Sequence, residues 1–454
     1  MNRDRAAAPR VLVIVQNLPV PFDRRVWLEC RALTAVGYDV TVVCPKGPGD
    51  PARQVLEGVT LLKYRPYAPG GGFVQFALEY VWSFAATAAL VLRGRRHGRF
   101  AVLQACNPPD IFWPIARVLR LVDGTRFVFD HHDLCPELFE SRFPGGGRLL
   151  HRALLLLERA TFRTADRVVS TNASYREVAV RRGGKAPADV TVVRTGPDPD
   201  RLRPAQPVPA LRRGRRHLVA YIGVMGPQDG VDVAVRAADE VVHGLGRDDV
   251  SFTFMGAGDS YADVVALRDR LGLADHVDLP GRVPDQTVVD VLSTADVGLS
   301  PDPKNPLNDV STMNKTLEYM AFGLPVVAFD LTETAVSAGP AAAYVADGDV
   351  RGYARTILEL LDDDDERARM GRCGRARIED EVGWPHQRVA YVRVYDELVG
   401  RVPVAAGPAP ERERVIDLTA VEEAERAESA GPAGPAGPAE PAGAPADEHG
   451  VRRS

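Results

Sequence analysis

“RVLVIVQN”, at residues 10–17, is an unbroken run of mostly β-branched apolar residues, and it predicts a buried strand near the start of the chain. Apolar residues then recur at helical spacing over 24–36, Gly37 ends that helix, and “YDVTVVCP” at 38–45 supplies a second strand. Two continuous apolar strands joined by a helix indicate a parallel sheet that is covered on both faces. This unit therefore decides the fold class, which is α/β.

The same alternation continues along most of the chain. Further strand-like runs lie at 101–106, 126–130, 167–171 and 189–196, and after a Pro- and Arg-rich connection (197–216) at 217–226, 251–259, 276–283, 296–302 and 325–330. We therefore predict two tandem, doubly wound, Rossmann-like domains that face each other across a central cleft. Their predicted bounds are 1–203 and 204–382. The Pro/Ala/Gly-rich tail at 403–454 lacks aromatic residues and is predicted to be disordered.

Composition limits the classes of partner. The 454 residues carry a net charge of −5, which argues against nucleic acid as the partner. Five widely spaced cysteines argue against a disulfide framework and favour a cytoplasmic location. The nearly apolar segment 73–96 ends in a basic run, and three interpretations stay open for it: a partly buried helix, a helix lying on a membrane surface, and a membrane span.

Ligands of open parallel sheets bind beyond the carboxyl ends of the strands, so the loops there are the candidate site. In the second half, Gly223 and Gly226 follow one predicted strand, and Gly256 and Gly258 follow the next. Glycines allow backbone amides to approach a diphosphate closely, although they are also common in plain turns.

A polar helix start stands in the same region. In “NDVSTMNKTLEYMAFG” (308–323), Asp309 or Ser311 is the predicted N-cap, and Asn314 and Glu318 share one helix face. The helix amides and Lys315 suit a phosphate, and Glu318 suits a ribose diol. The alternative is a solvated Glu–Lys pair.

Two loops of the first half are further candidates. “HHDLCPELF” (131–139) brings His132 and Asp133 to a strand end, where they either position a sugar or its leaving phosphate, or act as ordinary turn groups. The ligand spacing does not favour a metal, and we predict none. After the first strand, Asp23 is a candidate helix cap, and Arg24 and Arg25 are candidates to face an anionic acceptor.

“YIGVMG”, “FMGAGD”, “VDLPGRVPDQTVVDVLSTADVGLSP” and “NKTLEYMAFGLPVVAFD” resemble retaining glycosyltransferases of family four, which have the GT-B fold. The likeness covers roughly 11–398, and “FDHHDLCPELF” is similar to the branch that builds exopolysaccharides and other cell-surface glycans on lipid carriers. The resemblance implies sugar transfer from a nucleotide-diphosphate donor to a lipid-linked or glycan acceptor, without metal or cofactor. It further implies a cytoplasmic enzyme, in peripheral contact with the inner membrane face.

The resemblance also assigns roles to residues. It implies that Lys315 and the helix amides bind the diphosphate, that Glu318 binds the ribose, and that His132 and Asp133 face the donor sugar. These four residues are the expected catalytic set, and we expect Lys315→Ala and Glu318→Ala to lower turnover and leave the fold intact. A last helix, within 383–402, is expected to cross back and complete the first domain.

The sequence departs from the family pattern at two places. Val310 stands where a first acidic residue is common, with Asp309 as its neighbouring substitute, and Val224 and Asp229 stand near the usual basic pair. Two alternatives therefore stay open beside the transferase: a nucleotide-sugar epimerase of the same architecture, and a catalytically inactive glycan-assembly partner.

Overall fold

The computed structural model describes residues 8–67, 73–142 and 147–402, with the backbone alone at 73–77 and 142. The tail at 403–454, for which disorder is predicted, lies outside the described residues. The strands of the described chain are β1 (Arg10–Ile14), β2 (Asp39–Pro45), β3 (Arg53–Leu56), β4 (Val59–Tyr64), β5 (Val102–Cys106), β6 (Arg126–His131), β7 (Arg167–Ser170), β8 (Val190–Val192), β9 (His217–Ile222), β10 (Val250–Met255), β11 (Val277–Gly281), β12 (Val297–Ser300), β13 (Val326–Phe329) and β14 (Ala342–Val345).

Helices connect nearly all of these strands. They are α1 (Arg24–Ala35), α2 (Phe73–Arg95), α3 (Trp113–Asp123), α4 (Cys135–Arg142), α5 (Arg148–Thr164), α6 (Ala173–Arg181), α7 (Val231–Asp239), α8 (Tyr261–Arg270), α9 (Asp285–Thr294), α10 (Asn314–Ala321), α11 (Thr332–Ala338), α12 (Val350–Asp362), α13 (Asp364–Arg377) and α14 (Trp384–Val399).

The strands form two sheets, which confirms the predicted fold class. The first has the order β3–β4–β2–β1–β5–β6–β7–β8 and is parallel except at β3, which runs antiparallel to β4. The second has the order β11–β10–β9–β12–β13–β14 and is parallel throughout. In each sheet the order in which strands are added reverses beside the first parallel strand, between β1 and β5 and between β9 and β12. A crevice for ligands opens at such a switch point.

Strand β1 shows why both faces of the first sheet are covered. Val11 and Val13 point into one apolar cluster together with α1 and α14, while Leu12 and Ile14 point into another together with α2, α3 and α5. The apolar run at 11–15 is therefore buried from both sides, as the sequence predicts.

Helix α14 packs against the first sheet although it follows the second one in the chain. Its Tyr391 and Tyr395 hydroxyls both donate to Oε1 of Gln104 on β5, the first of them at 2.7 Å. The amide of Gln104 in turn donates to Glu29 on α1 at 2.7 Å. Buried hydrogen bonds thus tie the last helix to the sheet built from the first half of the chain.

The segment 73–96 forms helix α2, whose buried side carries Ser83, Thr87 and Val91. Across the three described ranges, every helix is too short or too polar to cross a membrane. Of the three interpretations of this segment, the span thus finds no support in the described structure.

Candidate functional site

The predicted glycine loops meet at the carboxyl ends of β9 and β10. Gly223 and Gly256 both have positive φ, at 154° and 144°, and a Cβ on Gly256 would lie 1.8 Å from the Gly223 carbonyl oxygen. A Cβ on Gly258 would lie 2.7 Å from the carbonyl oxygen of Met225. Part of the glycine pattern therefore has a structural cause, because two loop backbones touch here and leave no room for side chains.

The amide of Gly226 is engaged within its own loop. It donates to Oδ2 of Asp229 at 2.9 Å. A diphosphate would have to displace this contact to use the Gly226 amide, so a role of this glycine in binding stays a prediction.

Lys315 lies buried between two carboxylates. Its Nζ is 2.5 Å from Oδ1 of Asp302 and 3.7 Å from Oδ1 of Asp229, and the lysine side chain is only 8% exposed. It also lies 5.4 Å from the centre of the Tyr221 ring. Burial lowers the pKa of Lys315, but the two carboxylates outweigh it and hold the pKa above its usual value. Lys315 is thus a stable cation whose charge is already balanced inside the protein.

Asp302 and Asp229 differ in their surroundings. Asp302 is fully buried and also accepts a hydrogen bond from the Ser300 hydroxyl at 2.8 Å. Burial raises the pKa of Asp229, Lys315 lowers it, and the result lies above the usual value. The position near which the family has a basic residue is therefore occupied by an acid that faces the buried Lys315.

Glu318 lies one turn further along α10 and stays partly open, with 20% of its side chain exposed. Its Oε1 is 3.5 Å from Nη1 of Arg24, which lies at the start of α1, and Nη2 of the same arginine contacts Asp285 at 2.6 Å. Burial raises the pKa of Glu318, Arg24 lowers it, and the net shift is upward. Arg24, on the helix that covers the first sheet, therefore contacts Glu318, the predicted ribose-binding residue of the second half. The sequence had instead suggested that Arg24 faces an acceptor.

The Asp309 carboxylate hydrogen-bonds to the start of α11, whereas the sequence analysis predicted it at the start of α10. Its carboxylate accepts from the backbone amide and the hydroxyl of Thr332, at 2.9 and 3.1 Å, and lies 3.3 Å from Lys304 Nζ. The N-cap of α10 is Met313, which makes no side-chain cap bond. The prediction that Asp309 or Ser311 caps α10 is therefore wrong, because the short 3₁₀ turn at 308–310 directs Asp309 toward α11.

Asn314 is the first residue of α10 and is exposed. Val310, the last residue of the 3₁₀ turn that precedes α10, has a carbonyl group that accepts a hydrogen bond from Asn172 Nδ2 at 2.9 Å. The Asn172 amide also donates to the Thr312 hydroxyl at 3.0 Å. The loop that leads into α10 is thus fixed by a residue of the first half of the chain.

His132 and Asp133 lie in the loop after β6. Nδ1 of His132 is 3.0 Å from Oδ2 of Asp130, and the backbone amides of His132 and Asp133 both donate to Oδ1 of Asn107, at 2.9 and 3.0 Å. Burial lowers the pKa of His132, but the Asp130 carboxylate outweighs it and the pKa lies above its usual value. Hydrogen bonds from both ends therefore hold this loop in place, and the Asp130 carboxylate favours the protonated form of its histidine.

Arg25 contacts Asp130, the residue that pairs with His132 of this loop. Its guanidinium contacts Asp130 at 2.7 Å and Glu29 at 3.2 Å, and all three side chains are buried. Glu29, Cys106 and Asp130 offer ligand atoms within 4.8 Å of one another, a spacing that a metal ion could use. The guanidinium of Arg25 pairs with the Asp130 carboxylate, and burial raises the pKa of Glu29 to about 8, so the cluster offers a metal ion little uncompensated negative charge. Arg25 is thus a structural cation and does not face an acceptor, while Asp23 caps α1 by accepting from the Val26 amide at 3.0 Å, as predicted.

Three residues of this site were not among the candidates from the sequence: Asp302, Asn172 and Asp285. Asp302 could have been found from the sequence, since it is a carboxylate two residues beyond the end of strand β12, in a strand-end loop like the other candidates. Asn172 and Asp285 carry none, because their partners lie 138 and 261 positions away in the chain.

Two family models match the chain in succession. “Glycosyltransferase Family 4” matches residues 23–201, and “Glycosyl transferases group 1” matches residues 216–363. Both are glycosyltransferase models, and together they support a glycosyltransferase of family 4. The first match covers the first sheet from β2 onward and the second match covers the second sheet, so a glycosyltransferase model matches each half of the chain.

Individual proteins support the same placement. The 2-deoxystreptamine glucosyltransferase of Streptomyces kanamyceticus is 27% identical over 265 residues, which are 56% of this chain and 66% of that protein, just under two thirds of its length. Sucrose-phosphate synthase from Thermosynechococcus elongatus superposes with a TM-score of 0.69 at 17% identity, over 86% of this chain and 99% of that one. Anabaena HepE in complex with UDP-glucose gives a TM-score of 0.63 at 14% identity, over 86% and 99%. At these identities the structures show that the glycosyltransferase shares the two-domain GT-B fold.

Proposed function

We propose that the protein transfers a sugar from a nucleotide-diphosphate sugar to an acceptor hydroxyl, with retention of the anomeric configuration. The observation that carries the proposal is the position of Glu318. It is a partly open carboxylate on α10, beside the glycine loops and facing Arg24 from the other half of the chain. Anabaena HepE, which shares the fold, has been solved with UDP-glucose, and this supports a nucleotide sugar as the donor.

The donor would lie on the second domain. In this proposal Glu318 accepts hydrogen bonds from the ribose, and the open amides at the start of α10, beside Asn314, meet the diphosphate. Gly223, Gly256 and Gly258 keep the adjoining loop backbones free of side chains. Lys315 would lie near the diphosphate, but it shares its charge with Asp302 and Asp229, so in this proposal the preorganised helix amides supply most of the stabilisation as charge develops.

The transfer itself needs few groups from the protein. The bond between the anomeric carbon and the diphosphate breaks, and a bond to the acceptor oxygen forms on the same face. The acceptor proton passes to the leaving diphosphate oxygen. His132, whose ring contacts Asp130, would hold the donor sugar or the leaving phosphate, and the neighbouring Asp133 would face the sugar. No metal or cofactor is needed in this scheme.

We further propose the domain division and the setting of the reaction. The acceptor domain would comprise 1–203, completed by 383–402, and the donor domain 204–382. The packing of α14 on the first sheet supports this division. The acceptor would be a lipid-linked glycan of cell-surface polysaccharide synthesis, met at the cytoplasmic face of the membrane. The likeness of “FDHHDLCPELF” to that branch of the family supports this choice.

The test is turnover by purified protein with a panel of nucleotide sugars, reading released nucleotide, transferred sugar and altered donor. We expect Glu318→Ala to lower kcat/KM about 10- to 100-fold, the worth of hydrogen bonds to a charged group. Asp285→Asn is the matched control, because it loosens the same Arg24 without touching Glu318, and its activity should stay within about threefold of wild type. Full activity of Glu318→Ala would refute the assignment.

One observation favours a second candidate, the inactive assembly partner. Asp302 and Asp229 already balance the charge of Lys315, so the site offers less free positive charge to a diphosphate than the family pattern implies. An inactive partner predicts no released nucleotide from any donor. An epimerase instead predicts an altered donor without any acceptor.

A further inference from the structure

Helices α2, α3 and α5 present an unusual outward surface, which we call the three-helix face. Large apolar side chains are normally turned inward on helices that cover a sheet. Here many are exposed by 47–83%: Leu78, Val81, Trp82 and Leu92 on α2, Val118, Leu121 and Val122 on α3, and Leu149 and Leu156 on α5. Contiguous exposed apolar surface of this kind marks an interaction site.

The three helices lie side by side on one face of the first sheet. Their inner residues share a single apolar cluster, and the Phe84 ring of α2 stacks on Phe112 at the start of α3, with centroids 6.3 Å apart. At the other end, Arg95 of α2 contacts Asp123 of α3 at 2.6 Å. The Thr161 hydroxyl of α5 donates to the carbonyl of Asp110, just before α3, at 3.2 Å. The outward residues of the three helices therefore lie on the same side of the first sheet.

The charge of this face is one-sided. Exposed arginines surround the apolar residues: Arg93, Arg96, Arg99, Arg117, Arg126, Arg148, Arg152, Arg159 and Arg163. The acids of the three helices are Glu79, Asp123 and Glu158, and each is held by a partner within the fold, at 2.9, 2.6 and 2.6 Å. The face thus combines apolar side chains with a surplus of positive charge.

We propose that the three-helix face docks on an anionic lipid bilayer, with the helices lying in the plane of its surface. Apolar side chains that enter the headgroup region and arginines that meet anionic lipids are the two components of interfacial helix binding. Arginine also suits phosphate headgroups, because its guanidinium donates to two oxygens at once.

A polar cavity beside the face fits this arrangement. Gln16, Lys46, Tyr64, Tyr67 and the α2 residue Glu79 line a cavity of about 160 Å³ at the carboxyl ends of the first-sheet strands. A lipid held by the three-helix face would bring its polar head next to this cavity. To that extent the inference deepens the proposed function, which names a lipid-linked acceptor, but the docking itself needs no catalysis.

The test is flotation of the full chain with vesicles of 30% phosphatidylglycerol in phosphatidylcholine, against pure phosphatidylcholine. Since a basic residue near an anionic surface is worth about fivefold in partitioning, we expect Arg117→Gln with Arg152→Gln and Arg159→Gln to weaken binding about a hundredfold. Binding should also fall at 0.5 M salt.

The control removes the same charge from the other domain, with Arg236→Gln, Arg355→Gln and Arg372→Gln, all exposed. An apolar variant, Leu121→Ser with Leu156→Ser, changes side chains that are 79% and 68% exposed, so it should fold and lose vesicle binding. Equal binding by the control and the test variants would refute the proposal. Absence of wild-type binding to both kinds of vesicle would also refute it. So would a wild-type dimer that becomes monomeric in Leu121→Ser with Leu156→Ser, because the face would then be a contact between two copies of the chain. Because flotation needs no donor, its failure is distinct from failure of the transferase assay.

Discussion

Lys315 offers the sharpest test of how the site is built. The sequence alone suggests that Lys315→Ala leaves the fold intact, but the structure places this cation 2.5 Å from the buried carboxylate of Asp302, whose side chain is 1% exposed. Removing one partner of a buried ion pair leaves the other charge uncompensated, which costs about 3–5 kcal/mol. For a domain of this size that corresponds to a fall of roughly 6–20 °C in melting temperature. We expect Lys315→Met to show this loss in thermal and urea unfolding.

Two comparisons separate the ion pair from other causes. Lys315→Met combined with Asp302→Asn removes both charges and should recover much of the lost stability, because neighbouring partners are strongly coupled. Arg24→Met is the control, since the arginine is 52% exposed and its ion pairs should be worth less than about 1 kcal/mol. A melting temperature of Lys315→Met within about 2 °C of wild type would refute the reasoning.

The pH dependence of Lys315→Met has a definite sign. Burial raises the pKa of Asp229 and Lys315 lowers it, so the variant should raise that pKa further. A carboxyl whose pKa is higher in the folded state takes up a proton on folding, and its contribution is present at low pH and lost as the pH rises. The stability difference between variant and wild type should therefore shrink on acidification.

Three further predictions follow from single residues. Gly256→Ala should destabilise by several kcal/mol in urea unfolding, because its Cβ would lie 1.8 Å from the Gly223 carbonyl oxygen, whereas Gly37→Ala, with nothing within 4 Å, should cost only the roughly 1–2 kcal/mol of its left-handed backbone. Asp309→Ala should lower the free energy of unfolding by about 1 kcal/mol through the lost contact to α11, with nucleotide affinity in calorimetry unchanged; weaker nucleotide binding at equal stability would contradict this. Burial raises the pKa of Asp110 to about 7, so stability should fall as the pH rises from about 4 to about 7, and Asp110→Asn should flatten that slope.

Helix α2 illustrates how far pattern reasoning reaches. Its apolar composition predicts a helix of nearly the observed length, and its basic end is visible in the sequence. The arginines and leucines of α3 and α5 are visible too, but they form a common face with α2 only because all three helices share one cluster under the sheet. Three strands were missed. The half-exposed residues of β3 and β14, each at the edge of its sheet, show no continuous buried run, whereas β4 has a buried run that the sequence analysis did not assign.

The sequence by itself determined most of the alternation of buried strands and helices, the position of the candidate loops at strand ends, and Glu318 and Lys315 as candidates. These features depend on spacing within short stretches, where periodicity and turn chemistry are local. Only the tertiary structure decided the partners. It turned Lys315 into a buried cation balanced by Asp302, moved Asp309 to α11, and brought Arg24 to Glu318 across 294 positions of chain. Such contacts arise where separate elements pack together, and no local pattern records which distant residue will fill the space.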